Sequence, residues 1–385
     1  MITRFNYNYS FVDLLKALLS LCRKEASLPM IFVELFPKSQ IYPVESAHLA
    51  IKYALKSFKL KKGSKIGVQP YTCSSVFSAI KSAGLVPYFV DINQNLTLDT
   101  NDLSKKISQI DALIVTHIFG FPADITAIKK IALSIPIIED CAHALFSQYQ
   151  QQSVGTFFDV AVFSFGNGKF PSLGGGGLLV VNNPKWNNCV PFLSSLPKPN
   201  IANEIAHIVK SYLSSLMHTK QVQKLLYTVL SDNYFNNRNR EPIKNSIFEQ
   251  QMHRSTKYLL AHKLPFYKKN SLKQQENGQH LSQNLTGYYP QLDPMGNKVN
   301  YFFVVILEKK RDALHHYLKK NQLITGKHFQ YAMHWVLAFG YRLGDCPTFE
   351  NQIHQVLAIP CHHNLNQTEL DDITGHLLEF KKTNA

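Results

Sequence analysis

The chain has 385 residues, 45% of them hydrophobic and 12% aromatic, which supports a substantial core in one long domain or two ordinary ones. Its formal charge of +15 favours an anionic partner, yet no zinc-finger, RNP or helix-turn-helix signature appears, so nucleic acid is not expected. No apolar run is long enough to cross a bilayer, and Asp13 and Lys16 interrupt FVDLLKALLSL, which disqualifies it as a signal core. A cytoplasmic protein is expected, with contact to a membrane surface left open. Cys22, Cys73, Cys141, Cys189, Cys346 and Cys361 show no CxxC or His-partnered spacing. They read as reduced, largely buried thiols, with no metal site and no disulfide frame.

In chain order, Ser10 and Asp13 predict a capped amphipathic helix through about Cys22, whose stripe Phe11, Leu14, Leu15, Leu18 and Leu21 is expected to pack on the body. A helix over 46–58 follows, with Lys52, Lys56 and Lys59 on one solvated face of the basic run that ends at Lys65. KIGVQP reads as a strand, 73–83 as a helix and VPYFVDI as a strand. DALIVTHIFG, IPIIEDCA and VAVFSF are further strands, with ADITAIKKIALS a helix among them. Strands alternating with helices predict an α/β fold with a largely parallel sheet. Ligands collect at the carboxyl ends of such strands, where Asp140, His143, Ser164 and Lys169 all fall.

After Pro184 the texture turns helical, with IANEIAHIVKSYLSSLM and KQVQKLLYTVL, and then becomes the loop SDNYFNNRNREP. A boundary near 240 divides an extension (1–40) and a large domain (41–240) from a smaller α+β domain (241–385). That last part reads as a helix from about 254, a strand over 301–307, the helix RDALHHYLKKN, a late strand and a terminal helix from Thr368.

Lys169 stands between an apolar strand and four glycines, Gly174 to Gly177. Phosphate-loop readings fail: Phe170 follows the lysine, Phe163 occupies the first glycine position, and the third glycine of G-x-G-x-x-G falls on Leu179. A carboxylate at one strand end facing a lysine beyond a later strand suits pyridoxal phosphate. The lysine forms a Schiff base with its aldehyde, and the acid keeps the pyridine nitrogen protonated.

EDCAHA, VGTFFDVAVFSF, Lys169 and the glycine-rich return resemble the cofactor core of the DegT/DnrJ/EryC1/StrS family of sugar aminotransferases. KKGSKIGVQPYTCSSVFSAIKSAGLVPYFVDI, HIFGFPADITAIKKIA, YFFVVILEKKRDALHHYLKKNQLITGKHFQYAMH and VLAIPCHHNLNQTELDDI extend the resemblance over about 45–380. It implies the fold type I of pyridoxal-phosphate transferases: a mainly parallel seven-stranded sheet flanked by helices, with a smaller C-terminal α+β domain. The chemistry the resemblance implies is amino transfer from glutamate to a nucleotide-linked keto-sugar, carried out by a homodimer.

Residue by residue, the resemblance makes Lys169 the Schiff-base lysine, Asp140 the pyridinium partner and His143 a contact near the 3′-oxygen. Ser164 and the amides of Ala47 and His48 would hold the phosphate at a helix start. His328 and His334 fall where the family approaches its substrate. Several positions depart from the family pattern. Ala47-His48 replaces Gly-Thr, Cys73 a ring-stacking aromatic, Gly175 a glutamate and Met252 an asparagine, while Gly166-Asn167-Gly168 replaces His-Ala-Thr. Gly175 is expected to leave a roomier, less polar substrate side. The dehydratase branch carries histidine in place of the lysine, so Lys169 argues against it. Other chemistry on a non-sugar carbonyl, and a cofactor-binding relative without turnover, remain alternatives.

Overall fold

Seven strands form one sheet in the order β1-β9-β8-β5-β4-β2-β3: β1 (Gln40–Val44), β2 (Lys65–Val68), β3 (Val86–Phe89), β4 (Ala112–Thr116), β5 (Ile137–Asp140), β8 (Val160–Ser164) and β9 (Gly177–Val181). Between β5 and β8 lies a small hairpin, β6 (Gln148–Tyr149) and β7 (Gln152–Ser153). The computed structural model describes residues 1–5, 9–23, 27–229 and 248–384. The loop SDNYFNNRNREP and the boundary expected near 240 lie outside the described residues.

Every pairing among β8, β5, β4, β2 and β3 is parallel, and only β9 opposes its neighbours. β4, β5 and β9 are buried along their whole length, as expected of strands covered on both faces. Successive side chains point to opposite faces, so Ile114 and Val162 enter one apolar cluster while Leu113 and Ala161 enter the other.

Helices α1 (Phe11–Ser20) and α2 (Met30–Leu35) precede the sheet, and α3 (Ala47–Ser57), α4 (Ser74–Ser82), α5 (Thr100–Lys106) and α6 (Ile125–Ile131) connect its strands. Then come α7 (Val190–Ser194), α8 (Ile201–Met217), α9 (Lys220–Val229) and the long α10 (Arg254–Leu285). The smaller C-terminal α+β domain pairs β10 (Val304–Leu307) with β11 (Val356–Ile359) and adds α11 (Arg311–Lys320), α12 (Ala332–Ala338), α13 (Pro347–Gln352) and α14 (Gln367–Asn384). Its core is continuous with one face of the large sheet. Buried Asp91 accepts hydrogen bonds from the Thr348 and Phe349 amides, capping α13 from across the molecule.

Three expectations need correction. α1 forms with the capping box Ser10–Asp13, and Leu14 and Leu21 of its stripe pack against the core, but it buries Asp13, Ala17 and Ser20 and leaves Phe11, Leu15 and Leu18 exposed rather than packed on the body. Asp13 turns inward because Lys263 holds it at 2.6 Å. Lys52 is buried and paired with Glu249 rather than solvated, and Lys59 lies beyond the end of α3. The strand read over 301–307 begins only at Val304. Phe302 and Phe303 instead pack on His143 and His328, while Tyr301 packs edge-on against Phe121.

Candidate active site

Parallel pairing sets the carboxyl ends of β4, β5 and β8 side by side, with Thr116 opposite Asp140 and Asp140 opposite Val162. Asp140 is 4% exposed. Its carboxylate accepts hydrogen bonds from the Ala142 amide at 3.1 Å and the Thr116 hydroxyl at 3.3 Å. Burial raises its pKa above the ordinary carboxylate value, opposed by the Ala142 bond and by the charge of Lys169.

Lys169 sits on a tight turn after β8, closed by its own amide donating to Gly166 O at 3.1 Å. Gly168 adopts a φ of +78° there, which suits a residue without a β-carbon. Burial lowers the Lys169 ammonium pKa, against the opposing attraction of Cys73 and Asp140. Both groups therefore feel each other's charge while short of solvation. A pyridine ring offering N–H to one and an aldehyde to the other fits this pair.

The opposite end of the crevice is built by β8, β9 and α3. Ser164 pairs with Gly177, and a β-carbon at Gly177 would lie 2.4 Å from Ala47 N. Ser164 thus borders the first turn of α3. Ser46 caps the Leu49 amide, while the first amides of a helix have no partner in its own ladder. His48 Nε2 is a buried atom without a hydrogen-bond partner, and burial, with Lys52 nearby, lowers the imidazole pKa to about 4. An orphaned polar atom in the first turn of α3, a turn that Ser164 borders, fits a phosphate group.

His143 stacks on Phe302 with centroids 4.5 Å apart and planes 15° apart, and its Nδ1 accepts the Phe119 amide at 3.3 Å. Burial, with Lys169 adding to it, holds its pKa well below the ordinary value. His143 is therefore neutral, with its proton on Nε2. His328 joins the cluster, 5.7 Å from His143 between ring centroids, and Arg4 hydrogen-bonds its Nδ1. Gly326 makes room for that guanidinium, because a β-carbon there would meet Arg4 Cζ at 2.3 Å.

His334 lies exposed on α12 and packs on Tyr331 rather than on this cluster. Cys73, half-buried at the start of α4, accepts from the Ser75 hydroxyl and lies within the charge field of Lys169. Gly175 does not open into a roomier space, since the His207 imidazole lies 3.0 Å from where its β-carbon would be. Met252 packs against Gly176. Arg4, Tyr71, Phe119 and Phe302 escaped the sequence reading. Tyr71 donates to the His328 carbonyl at 2.9 Å, and the Lys169 amine lies 5.8 Å from the Phe302 ring centroid.

His117, Glu139 and Cys141 bring donor atoms within 4.8 Å of one another. These atoms are engaged by protein: His117 bonds Glu139 at 2.9 Å and accepts the Ala123 amide at 3.0 Å, and Glu139 also accepts from the Phe157 amide. The group is a buried hydrogen-bond network that braces β4 against β5.

The family model described as the DegT/DnrJ/EryC1/StrS aminotransferase family matches residues 30–378. The chain belongs to that family. Its curated relatives include a GDP-perosamine synthase of Escherichia coli O157:H7, 33% identical over 154 residues, covering 39% of this chain and 42% of the relative. Spore coat polysaccharide biosynthesis protein SpsC of Bacillus subtilis is 30% identical over 155 residues, 39% of this chain and 40% of that one. These matches span about two-fifths of each relative's length. Among solved structures, Helicobacter pylori PseC, an aminotransferase of pseudoaminic acid biosynthesis, superposes with a TM-score of 0.76 at 19% identity over 99% of both chains. DesV of S. venezuelae gives 0.77 at 18% identity, again over 99% of both. At such identities these likenesses concern the fold.

Proposed function

We propose that this family member is a pyridoxal-phosphate-dependent aminotransferase that moves an amino group, with glutamate as donor, onto a keto-sugar carried on a nucleotide, and that it works as a homodimer. The observation that carries the reading is the mutual field of buried Asp140 and Lys169 at the ends of β5 and β8. When bound, pyridoxal phosphate supplies an electron-accepting ring that spreads the charge left when the donor's α-proton departs.

The chain's own residues do the rest. Asp140 accepts the hydrogen bond of the ring nitrogen and favours its protonated state. Ser164 and the amides of Ala47 and His48 hold the phosphate, and neutral His143 offers its Nε2 proton toward the ring's oxygen. The Lys169 amine, kept short of full protonation by burial, would take the proton from the donor's α-carbon as general base and, as general acid, deliver it to C4′, the carbon that carries the cofactor's aldehyde. Phe302, stacked on His143, sets an aromatic ring beside the Lys169 amine. A net charge of +15 suits a nucleoside-diphosphate substrate.

The direct test mixes purified protein with pyridoxal phosphate and follows its visible absorbance before and after glutamate, with Lys169→Ala alongside. Bleaching by glutamate that Lys169→Ala abolishes supports the reading; cofactor that binds identically in both proteins removes it. A panel of nucleotide-linked keto-sugars and simpler ketones then distinguishes sugar amination from amination of another carbonyl. A second reading, cofactor binding without turnover, draws on Cys73 standing where relatives place a stacking ring. It predicts bound cofactor that no amino acid bleaches.

A further inference from the structure

Two helices of this protein turn carboxylates and serines inward and leave much of their apolar surface outside, although Leu14, Ile208 and Tyr212 pack against the core. α1 buries Asp13, Ala17 and Ser20 while Phe11, Leu15 and Leu19 are 58%, 45% and 55% exposed. α8 buries Glu204, Ile208, Ser211 and Ser215 while Ile205, Val209 and Leu213 are 44%, 43% and 53% exposed. Amphipathic helices on a protein surface normally do the reverse. The two stripes adjoin, because the Phe11 ring meets Tyr212 at 6.3 Å and the Tyr9 amide donates to the Ser215 hydroxyl at 3.3 Å.

Specific polar contacts fix this orientation. Asp13 is held by Lys263 and by Ser10, and Glu204 accepts the Arg254 amide at 2.6 Å and the Ser255 hydroxyl at 2.8 Å. Turning either helix by half a turn would bury its leucines and strip a carboxylate of its donors, which is costly. The outward apolar face is thus a stable property of the fold, and continuous apolar surface of this kind marks a contact site.

Charge identifies the occupant. Asp13 is the one acidic residue of α1 and Glu204 that of α8, and both point inward. Lys16 and Lys210 are exposed on the same two helices. A twofold contact of this face with itself would set cations against cations with no carboxylate on either helix to pair them. A bilayer surface offers both an apolar layer for the leucines and negative headgroups for the lysines. None of the described helices is long and apolar enough to cross a membrane, so the contact is with one leaflet. We propose that the α1–α8 face docks on a membrane surface containing anionic lipid.

The test is co-sedimentation of the full-length holoprotein with vesicles of phosphatidylcholine alone or of phosphatidylcholine mixed with phosphatidylglycerol. The expected result is binding to the mixed vesicles that falls at least about tenfold in Leu15→Glu/Leu213→Glu, with unchanged circular dichroism and melting. Lys16→Glu/Lys210→Glu, which alters no apolar contact, is expected to erase the preference for phosphatidylglycerol. Absence of vesicle binding overturns the proposal, as does binding that the leucine substitutions leave intact, which reflects net charge alone. Sedimentation velocity supplies the remaining adverse outcome: a dimer that the leucine substitutions split, without vesicle binding, assigns the face to a second copy.

Discussion

Asp140 and Lys169 each lose solvation on folding, and each is the other's partial remedy. Burial is the largest influence on both, raising the acid and lowering the ammonium, while their attraction works the opposite way. Asp140→Asn removes one of the charges that raise the Lys169 pKa, so that pKa is expected to fall further and the amine to be neutral at lower pH. Mass-spectrometric measurement of Lys169 acylation against pH, without cofactor, checks this; an unchanged or higher midpoint contradicts the coupling. The same substitution is expected to cut amino transfer by about 10²- to 10⁴-fold through loss of ring protonation. Gly177 makes a steric prediction. A β-carbon there would approach Ala47 N at 2.4 Å and Phe163 O at 2.9 Å, both backbone atoms that cannot swing aside. Gly177→Ala is expected to cost about 1–3 kcal/mol in denaturant unfolding and to weaken cofactor binding, because it pushes α3 away from Ser164.

At the scale of elements, the joint between the sheet and α13 rests on one carboxylate. Asp91 follows β3 and accepts the Thr348 amide at 2.9 Å and the Phe349 amide at 3.0 Å, 257 and 258 residues along the chain. Asp91→Ala leaves those amides without their acceptor and is expected to destabilise the protein by about 1–3 kcal/mol. Calorimetry reads that as a lower melting temperature; Asp91→Asn, which keeps one acceptor oxygen, is expected to recover part of it. Such joints were invisible in the sequence, whereas β4, β5 and β8 were legible because buried parallel strands write themselves as unbroken apolar runs. α1 was legible in extent, through Ser10 and Asp13, and misread in orientation. Periodicity locates an apolar stripe, and it was the Lys263 contact, 250 residues away, that decided which side turned inward. Lys169 and Asp140 stood out because each follows a strand within a short motif. Arg4, Tyr71 and Phe302 reach the site from distant segments, and no local pattern marks that convergence.

On the scale of the whole molecule, the first residues tie the small domain to the crevice. Ile2 donates to Gln322 O at 2.8 Å and accepts from the Ile324 amide at 2.9 Å, forming a parallel bridge beside Leu323. His362 Nε2 meets the Thr3 carbonyl at 3.1 Å. This edge pairing carries Arg4 over Gly326 and onto His328, whose other charged neighbours include Lys169. The chain's start and Lys169 thus both act on one imidazole. Burial is the main reason His328 titrates far below its ordinary value, and Arg4 is the next. Arg4→Ala is therefore expected to raise the His328 pKa while leaving it below that of a free imidazole, since burial persists. Nuclear magnetic resonance titration of the histidine ring reads the shift, and a fall on substitution would contradict the arrangement. Shortening the chain by residues 1–5 removes the same charge together with two backbone hydrogen bonds, each worth about 1 kcal/mol. It is expected to move the His328 midpoint in the same upward direction while also lowering the melting temperature, whereas Arg4→Ala leaves the backbone bridge in place.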